Sequence, residues 1–599
     1  MTAAQEALAV GTPVAAKRPR PPMRHRNPSG SDFRWAIAFV VPYVAVFLAF
    51  VVYPYGYALW MVSKPSLYAD LIADPAYLLT VVNTLVFVGL GVNLKMFLAF
   101  LLSGFFMRRR WWIRLLLAVY VLPWVIATAQ ACVSFHWMLQ GDQGLINRLL
   151  SELFGVDGPI WFNHRWLGVG SNIAAYIWKW MPFWTLIFLA ARMKIPRDLY
   201  DAAEIDGATG YRRFVHVTVP LLANLYLLCT LLSTLWTIGD FTTVYLVSGG
   251  GVGGNMEVLA TLGFRYVRHR SAGTRRRSSP VGAPGADPAG DRVDAPSPDE
   301  RGATMSMALA SGEPARRRYR LRRLLAEAGS VMLGVVLLIW SLLPIYEMLQ
   351  IALDPEEGEI EFSGNIWPAG FSLDGFRDVV TQQARYLDQF WKQFGNSLYI
   401  GLLTMSLTLV IGSLASFAVS RMRLSRGSLL TNAALFTYAI PASFLIVPFL
   451  RIMHAYGLSD NHWAVIMAEV TFAVPFAILI LQLYANLIPT ELDDAARVDG
   501  ASALQVYLRI YLPLMTPALA VVAIYSLLLA WNEYLYPAML LSPRNMTIGV
   551  TQGLLFTDSD AEWNAMMAAA VIYVLPPIAV LFALRRYVAT SLTMEDAGA

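Results

Sequence analysis

Asp201-Ala202-Ala203-Glu204-Ile205-Asp206-Gly207-Ala208 is followed twelve residues later by Pro220. Asp494-Ala495-Ala496-Arg497-Val498-Asp499-Gly500-Ala501 is followed twelve residues later by Pro513. The two stretches lie 293 positions apart (Gly207 to Gly500), and Ile195-Pro196 and Ile488-Pro489 precede them at the same separation. A period this long marks a duplicated architecture. Each copy predicts a helix, a turn and a helix. Pro196 or Pro489 starts the short first helix, because proline is tolerated in a first turn. The Asp-Gly pair ends it, because glycine adopts the positive φ that closes a helix. A second helix, Tyr211–Val219 or Leu504–Leu512, then runs into an apolar segment.

What surrounds the repeat is a membrane protein. Of the 599 residues 57% are hydrophobic and only 15% charged, well below the roughly 25% charge of soluble domains. Eighteen Trp suit a chain with two membrane interfaces. A crossing takes about 20 mostly apolar residues. Such segments fall at Trp35–Tyr55, Leu78–Phe105, Ile113–Met138, Gly170–Ala190 and Leu221–Gly239. After the middle of the chain they recur at Gly329–Ile351, Asn396–Val419, Leu429–Met453, Ala464–Tyr484, Pro513–Trp531 and Met566–Ala583. The expected class is an all-α integral membrane protein of five and then six helices.

The remaining segments read by composition. Residues 1–32 form a Pro/Arg-rich tail without the apolar core of a cleavable signal, expected to be disordered and cytoplasmic. Residues 33–267 are the first domain, 324–588 the second and 589–599 a C-terminal tail. Between the domains, 268–323 is a linker; Arg268–Thr304 contains no Leu, Ile, Phe or Trp and cannot fill a core. Basic clusters at Lys17–Arg26, Arg108–Arg110, Arg192–Arg213, Arg268–Arg277, Arg316–Arg323, Arg421–Arg426 and Arg585–Arg586 each lie near an apolar segment. They mark cytoplasmic loops rather than a nucleic-acid surface. Cys132 and Cys229 fall inside spans, the seven His residues show no ligand spacing, and no metal or cofactor site is expected.

The Asp-Ala-Ala-x-x-Asp-Gly-Ala pattern with its proline resembles the EAA loop of binding-protein-dependent ABC importers, with Asp where that family usually has Glu. Trp531-Asn532-Glu533-Tyr534 with Pro537 resembles a sequence after the fifth span of the second sugar-permease subunit. Asp240-Phe241 and Gly249-Gly250-Gly251 resemble the matching place in its partner subunit. Asn83-Thr84-Leu85 and Asn396-Ser397-Leu398 open equivalent spans, and Pro123 and Pro441 sit in equivalent third spans. The resemblance covers nearly all of Trp35–Val267 and Leu324–Val588 and implies two tandem ABC-importer transmembrane domains fused end to end in the bacterial inner membrane.

The resemblance also implies partners: two ABC ATPase subunits, a periplasmic or lipid-anchored solute-binding protein, a sugar or polyol substrate and membrane lipid. Asp201, Ala202, Ala203, Asp206 and Gly207, with Asp494, Ala495, Ala496, Asp499 and Gly500, would couple to the ATPases. The chain has no Gly-x-x-x-x-Gly-Lys-Ser/Thr phosphate loop of its own. Polar residues inside spans are costly and mark pathways; Asn93, Lys95, Lys179, Asn532 and Glu533 are the pathway candidates. For Lys179, packing or snorkelling competes with substrate contact. Rival classes are a secondary transporter, whose Asp-Arg-x-Gly loops are absent, and a membrane enzyme built on Glu356, Glu357, Glu359 and Glu361. A sugar phosphate is the rival substrate.

One conflict sits inside the sequence. Five spans after a cytoplasmic N-terminus would put the linker outside and invert the second domain, although both loops must face the same ATPases. In the second domain Asn545–Leu555 is followed by the span Met566–Ala583; in the first, Met256–Val267 is followed by Arg268–Thr304 instead. Shifted reading of GC-rich DNA gives this Arg/Pro/Ala/Gly bias, so Arg268–Thr304 is expected to be an out-of-frame bridge between two genes, the second starting at Met305 or Met307. A natural fusion that lost a span is the alternative.

Overall fold

A computed structural model describes residues 30–272, 313–355, 370–555 and 562–593, apart from the short positions 64–67, 69–70, 109, 142–143, 209, 423–426, 439 and 487. Most of each tail, most of the linker and the acidic run Glu356–Glu361 lie outside these residues. Among the described residues, eight helices are long and apolar enough to cross a membrane, and two sharply bent pairs bring the number to ten.

In the N-terminal half the spans are Phe33–Val62, Pro75–Phe106, the pair Trp111–Val125 and Thr128–Met138, Arg165–Met193 and Tyr211–Ile238. In the C-terminal half they are Glu327–Ala352, Phe390–Ser420, His462–Ala485, the pair Ala503–Leu514 and Thr516–Asn532, and Trp563–Leu584. Two expected spans are corrected. The third span of the N-terminal half bends by 98° where Ile126 and Ala127 turn extended, three residues after Pro123. Its counterpart stops at Phe436, passes Pro441 in extended geometry and resumes as Ile446–Ala455. Proline lacks the N–H that would continue the ladder. The linker expectation is also trimmed: helix Leu259–Ala272 runs into one end and helix Glu313–Ala352 begins inside the other.

The repeat extends to backbone detail. Pro182 and Pro475 stand at the repeat separation inside the fourth spans. So do two five-residue π-helical turns, Phe214–Thr218 and Tyr507–Tyr511. Each lies just before the proline at 220 or 513, and a widened turn absorbs the clash and lost donor that a proline imposes one turn back.

The halves cross over. The first span of the N-terminal half lies on the C-terminal half: Phe39 packs on Phe417 and Tyr507 with ring centroids 5.6 Å apart, and the Tyr55 hydroxyl donates to the Thr437 carbonyl and accepts from the Ile440 N–H. Conversely, the first span of the C-terminal half lies on the N-terminal half. Trp178 Nε1 donates to the Trp340 carbonyl at 2.8 Å, Ser134 Oγ to the Pro344 carbonyl at 2.6 Å, and Arg110 pairs with Glu327 at 3.1 Å. Each first span therefore begins beside the loop-bearing end of the opposite half, and both repeat loops face the same side.

The sixth span is not duplicated. Trp563–Thr593 covers the fifth span of the C-terminal half, where Tyr573 stacks on Trp531 at 4.5 Å. No crossing helix follows Tyr211–Ile238 among the described residues of the N-terminal half, and Leu221, Leu227, Leu228 and Leu231 stand uncovered, Leu227 at 65% exposure.

Candidate translocation cavity and coupling loops

The two loops close their helices alike. Arg197–Ile205 ends at Gly207, φ 75°, with the Ala208 N–H bonded to the Ala203 carbonyl at 2.8 Å. Glu491–Val498 ends at Gly500, φ 85°, with the Ala501 N–H bonded to the Ala496 carbonyl at 2.9 Å. This is the Schellman closure, with glycine in the left-handed position. Asp201, Ala202, Asp206, Asp494, Ala495 and Asp499 are exposed, while Ala203 and Ala496 are half-buried. At the last turn of each helix an apolar side chain stands bare: Ile205 and Val498, both 87% exposed and at the same repeat position.

The loops are anchored differently. Asp493 pairs with Arg421 at 3.3 Å, both side chains nearly buried, and Arg421 also donates to the Ala485 carbonyl. Burial raises the Asp493 carboxyl above its ordinary value, and Arg421 offsets part of that. At the equivalent place in the first loop Tyr200 bonds Thr218 at 3.1 Å under the Arg213 guanidinium.

Between the halves lies a cavity of about 220 Å³, lined by both. Trp124, Trp180, Trp184, Trp236, Tyr438 and Tyr525 give it aromatic walls; Lys95, Asp240, Asn532 and Glu533 are its charged and amide groups. Asp240 and Glu533 occupy one repeat position. Asp240 accepts from the Thr243 N–H at 3.0 Å and its hydroxyl at 2.8 Å, and Glu533 accepts from the Leu535 and Tyr536 N–H groups at 2.8 and 3.1 Å. Each acid thereby satisfies orphan donors at the start of the short helix after its fifth span. Lys95 is fully buried and donates to the Tyr176 hydroxyl and to Ser233 Oγ at 2.6 Å. Two of its three donors are used, leaving one for the cavity.

The other pathway candidates fall elsewhere. Asn93 is exposed on the outer surface of its span and returns its amide to the Gly89 carbonyl at 2.6 Å, so the structure does not bring it to the cavity. Lys179 is buried behind the wall. Sequence reasoning passed over the aromatic walls, because aromatic residues in spans are so often packing. It also passed over Asp240 as a site residue, whose signal was its repeat relation to Glu533.

The motif asparagines have matching partners. Asn83 Nδ2 donates to the Asn255 and Glu257 carbonyls, both at 2.9 Å, and Thr84 Oγ1 accepts from the Leu259 N–H. Asn396 Nδ2 donates to the Asn545 and Met546 carbonyls at 3.2 and 3.0 Å, and Ser397 Oγ accepts from the Ile548 N–H. Each pair pins the chain just after the short helix that follows the fifth span.

A duplicated helical membrane chain, with crossed first spans, a cavity between its halves and matched loops on one side, defines a multi-pass membrane transport permease. The chain belongs to the binding-protein-dependent transport system inner membrane component family, whose model matches residues 35–268 and 408–594. It comprises two such permease domains in one inner-membrane polypeptide. The inner membrane ABC transporter permease protein YcjP of Escherichia coli is 31% identical over 45% of this chain and 96% of its own length. The trehalose transport system permease protein SugB of Mycobacterium tuberculosis is 28% identical over 44% and 94%. In a solved bacterial transporter that imports the acidic polysaccharide alginate, one chain aligns over 45% of this chain and 98% of its own at 22% identity, with a TM-score of 0.38.

Proposed function

We propose that this chain forms the whole membrane passage of an importer for a neutral sugar or polyol, powered by ATP hydrolysed on two separate subunits. The observation that carries this reading is the matched pair of loops. Each presents a short helix, a left-handed glycine and a bare apolar residue, Ile205 or Val498, on the same side. One bare apolar side chain alone is ordinary; two at the same repeat position, on helices closed alike on one side, suit covering by a pair of like partners. Asp201, Ala202, Ala203, Asp206 and Gly207, with Asp494, Ala495, Ala496, Asp499 and Gly500, form the docking elements, one for each ATPase. A soluble binding protein, periplasmic or lipid-anchored, delivers substrate from the opposite side. Nucleotide-driven closure of the ATPases then biases two arrangements of the halves about the cavity.

A sugar suits the cavity. Indole and phenol faces stack on pyranose C–H faces, and Asp240 and Glu533 accept hydroxyl donors. The acids Asp240 and Glu533 disfavour a sugar phosphate, and relatives carry names such as trehalose and lactose transport. The test is capture of the cognate ATPase by the tagged chain, wild type against Gly207→Asp and Gly500→Asp. Wild-type capture that weakens in both variants supports the reading. Unchanged capture in both would remove the docking assignment, and an effect of Gly500→Asp alone would leave the first loop undocked.

A further inference from the structure

Lys179 uses all its hydrogen-bonding capacity on protein. Its Nζ donates to the Trp124 carbonyl at 3.1 Å, to the Ile126 carbonyl and to Asn532 Oδ1 at 3.1 Å. An ammonium has three donors, so none remains for a sugar. The first two acceptors are carbonyls released where the helix Trp111–Val125 ends at the break of the third span. Helix ends leave such carbonyls orphaned, and a cation there also meets the negative end of the dipole. The third acceptor belongs to the other half, at the end of its fifth span. Thr128 Oγ1, the first residue of the outer half-helix, reaches the same Asn532 oxygen at 3.3 Å, and Asn532 Nδ2 is fixed on the Leu528 carbonyl at 2.6 Å.

Trp124, Thr128 and Asn532 all line the cavity, and both helices reach this point after running away from the loop-bearing side. We propose that Lys179 is a positioning residue that latches the outer end of the cavity. It holds the bend between Trp111–Val125 and Thr128–Met138 and ties that bend to Asn532 across the interface. Opening away from the loops requires the Lys179–Asn532 contact to part, while the two carbonyl bonds travel with the N-terminal half. This inference rests on the permease reading but not on the identity of the substrate.

The chain supplies its own reporters, since Cys132 lies one turn beyond Thr128 and Cys229 lies on the fifth span, both buried. The experiment measures maleimide labelling of the full-length chain in proteoliposomes, with Cys132 alone (Cys229→Ser) or Cys229 alone (Cys132→Ser). In Lys179→Met, Cys132 should label about tenfold faster or more, the size expected when charge-assisted bonds that resist local opening are removed. Asn532→Ala should raise it less, and adding it to Lys179→Met should change little, because the two share one contact. Lys179→Arg should restore most of the protection. Cys229 should keep its wild-type rate throughout. Unchanged Cys132 labelling in Lys179→Met overturns the latch, and so does a parallel rise at Cys229, which would mean general loosening. Neither result bears on ATPase capture, so failure of the latch is distinguishable from failure of the functional reading.

Discussion

Gly207 and Gly500 sit in open space, with no atom within 4 Å of where a methyl would stand, so their requirement is conformational rather than steric. At φ 75° and 85° an alanine would cost about 1 kcal/mol or more. Gly500→Ala should therefore speed amide exchange in 495–501 without altering the spans, and exchange mass spectrometry can read this. Arg421 and Asp493 pose a different case. Removing only Asp493 leaves a buried guanidinium unpaired, which costs about 3–5 kcal/mol, whereas replacing both with apolar residues costs far less. In a denaturation series, Asp493→Ala should be markedly weaker than Arg421→Met/Asp493→Leu. Asp460 supplies a pH test. Its carboxylate accepts from the Ser542 N–H and hydroxyl at 2.7 and 2.8 Å, and these bonds hold it below its ordinary value of 3.8. A depressed acid contributes stability above its unfolded pKa and loses it as pH falls through the folded value. Melting temperatures of wild type and Asp460→Ala should thus differ equally at pH 7 and pH 5, and converge only below the ordinary Asp range.

The clamped helix starts give the prediction at the scale of elements. Asn83 satisfies two loop carbonyls and in turn accepts from Arg165 Nε and Nη2 at 3.0 and 2.8 Å. Asn83→Leu strands three polar partners, each costing about 1–3 kcal/mol if water does not reach it. Limited proteolysis should then cut the 249–258 loop while sparing its counterpart near 545. The asparagines stood out in the sequence as span openers, but their partners lie more than 140 residues away, beyond any local pattern. Span positions were legible because an apolar run of 20 residues has few other uses. The breaks in the third spans were not, since Pro123 sits in a uniformly apolar stretch where periodicity carries no signal. Pro182 and Pro475 show that a proline within a span need not break it. What the two broken spans share is a donor from another helix for carbonyls at the break: Lys179 for Trp124 and Ile126, and Tyr55 for Thr437. For the same reason the cavity was only half legible: Lys95, Asn532 and Glu533 reach it, while Asn93 faces away and Lys179 is spent on the fold.

For the whole molecule, the duplicated half was readable from one separation, and the unpaired sixth span was readable as a conflict of topology. The described helices keep that conflict. Tyr266 bonds Asp74 at the end of the second span remote from the loops, whereas Arg110 meets Glu327 on the loop side. Helix Leu259–Ala272 thus stands on one side while Glu327 lies on the other, and the sequence of 273–312 has no apolar run able to cross a membrane. We therefore expect Arg268–Thr304 to be an out-of-frame bridge between two adjacent genes. Resequencing from independent isolates would show a shifted frame there; an intact single frame would sink the idea. The crossed first spans also set a timetable. Phe33–Val62 leaves the ribosome about 360 residues before Phe390–Ser420, which at roughly 5–20 residues per second is a delay of about 20–70 s. Throughout that interval Phe39 and Tyr55 face lipid or an insertion factor instead of their final neighbours. Should resequencing return an intact single frame, covalent joining would turn the encounter of two newly made proteins into a wait along one nascent chain, with an order of assembly fixed by translation itself.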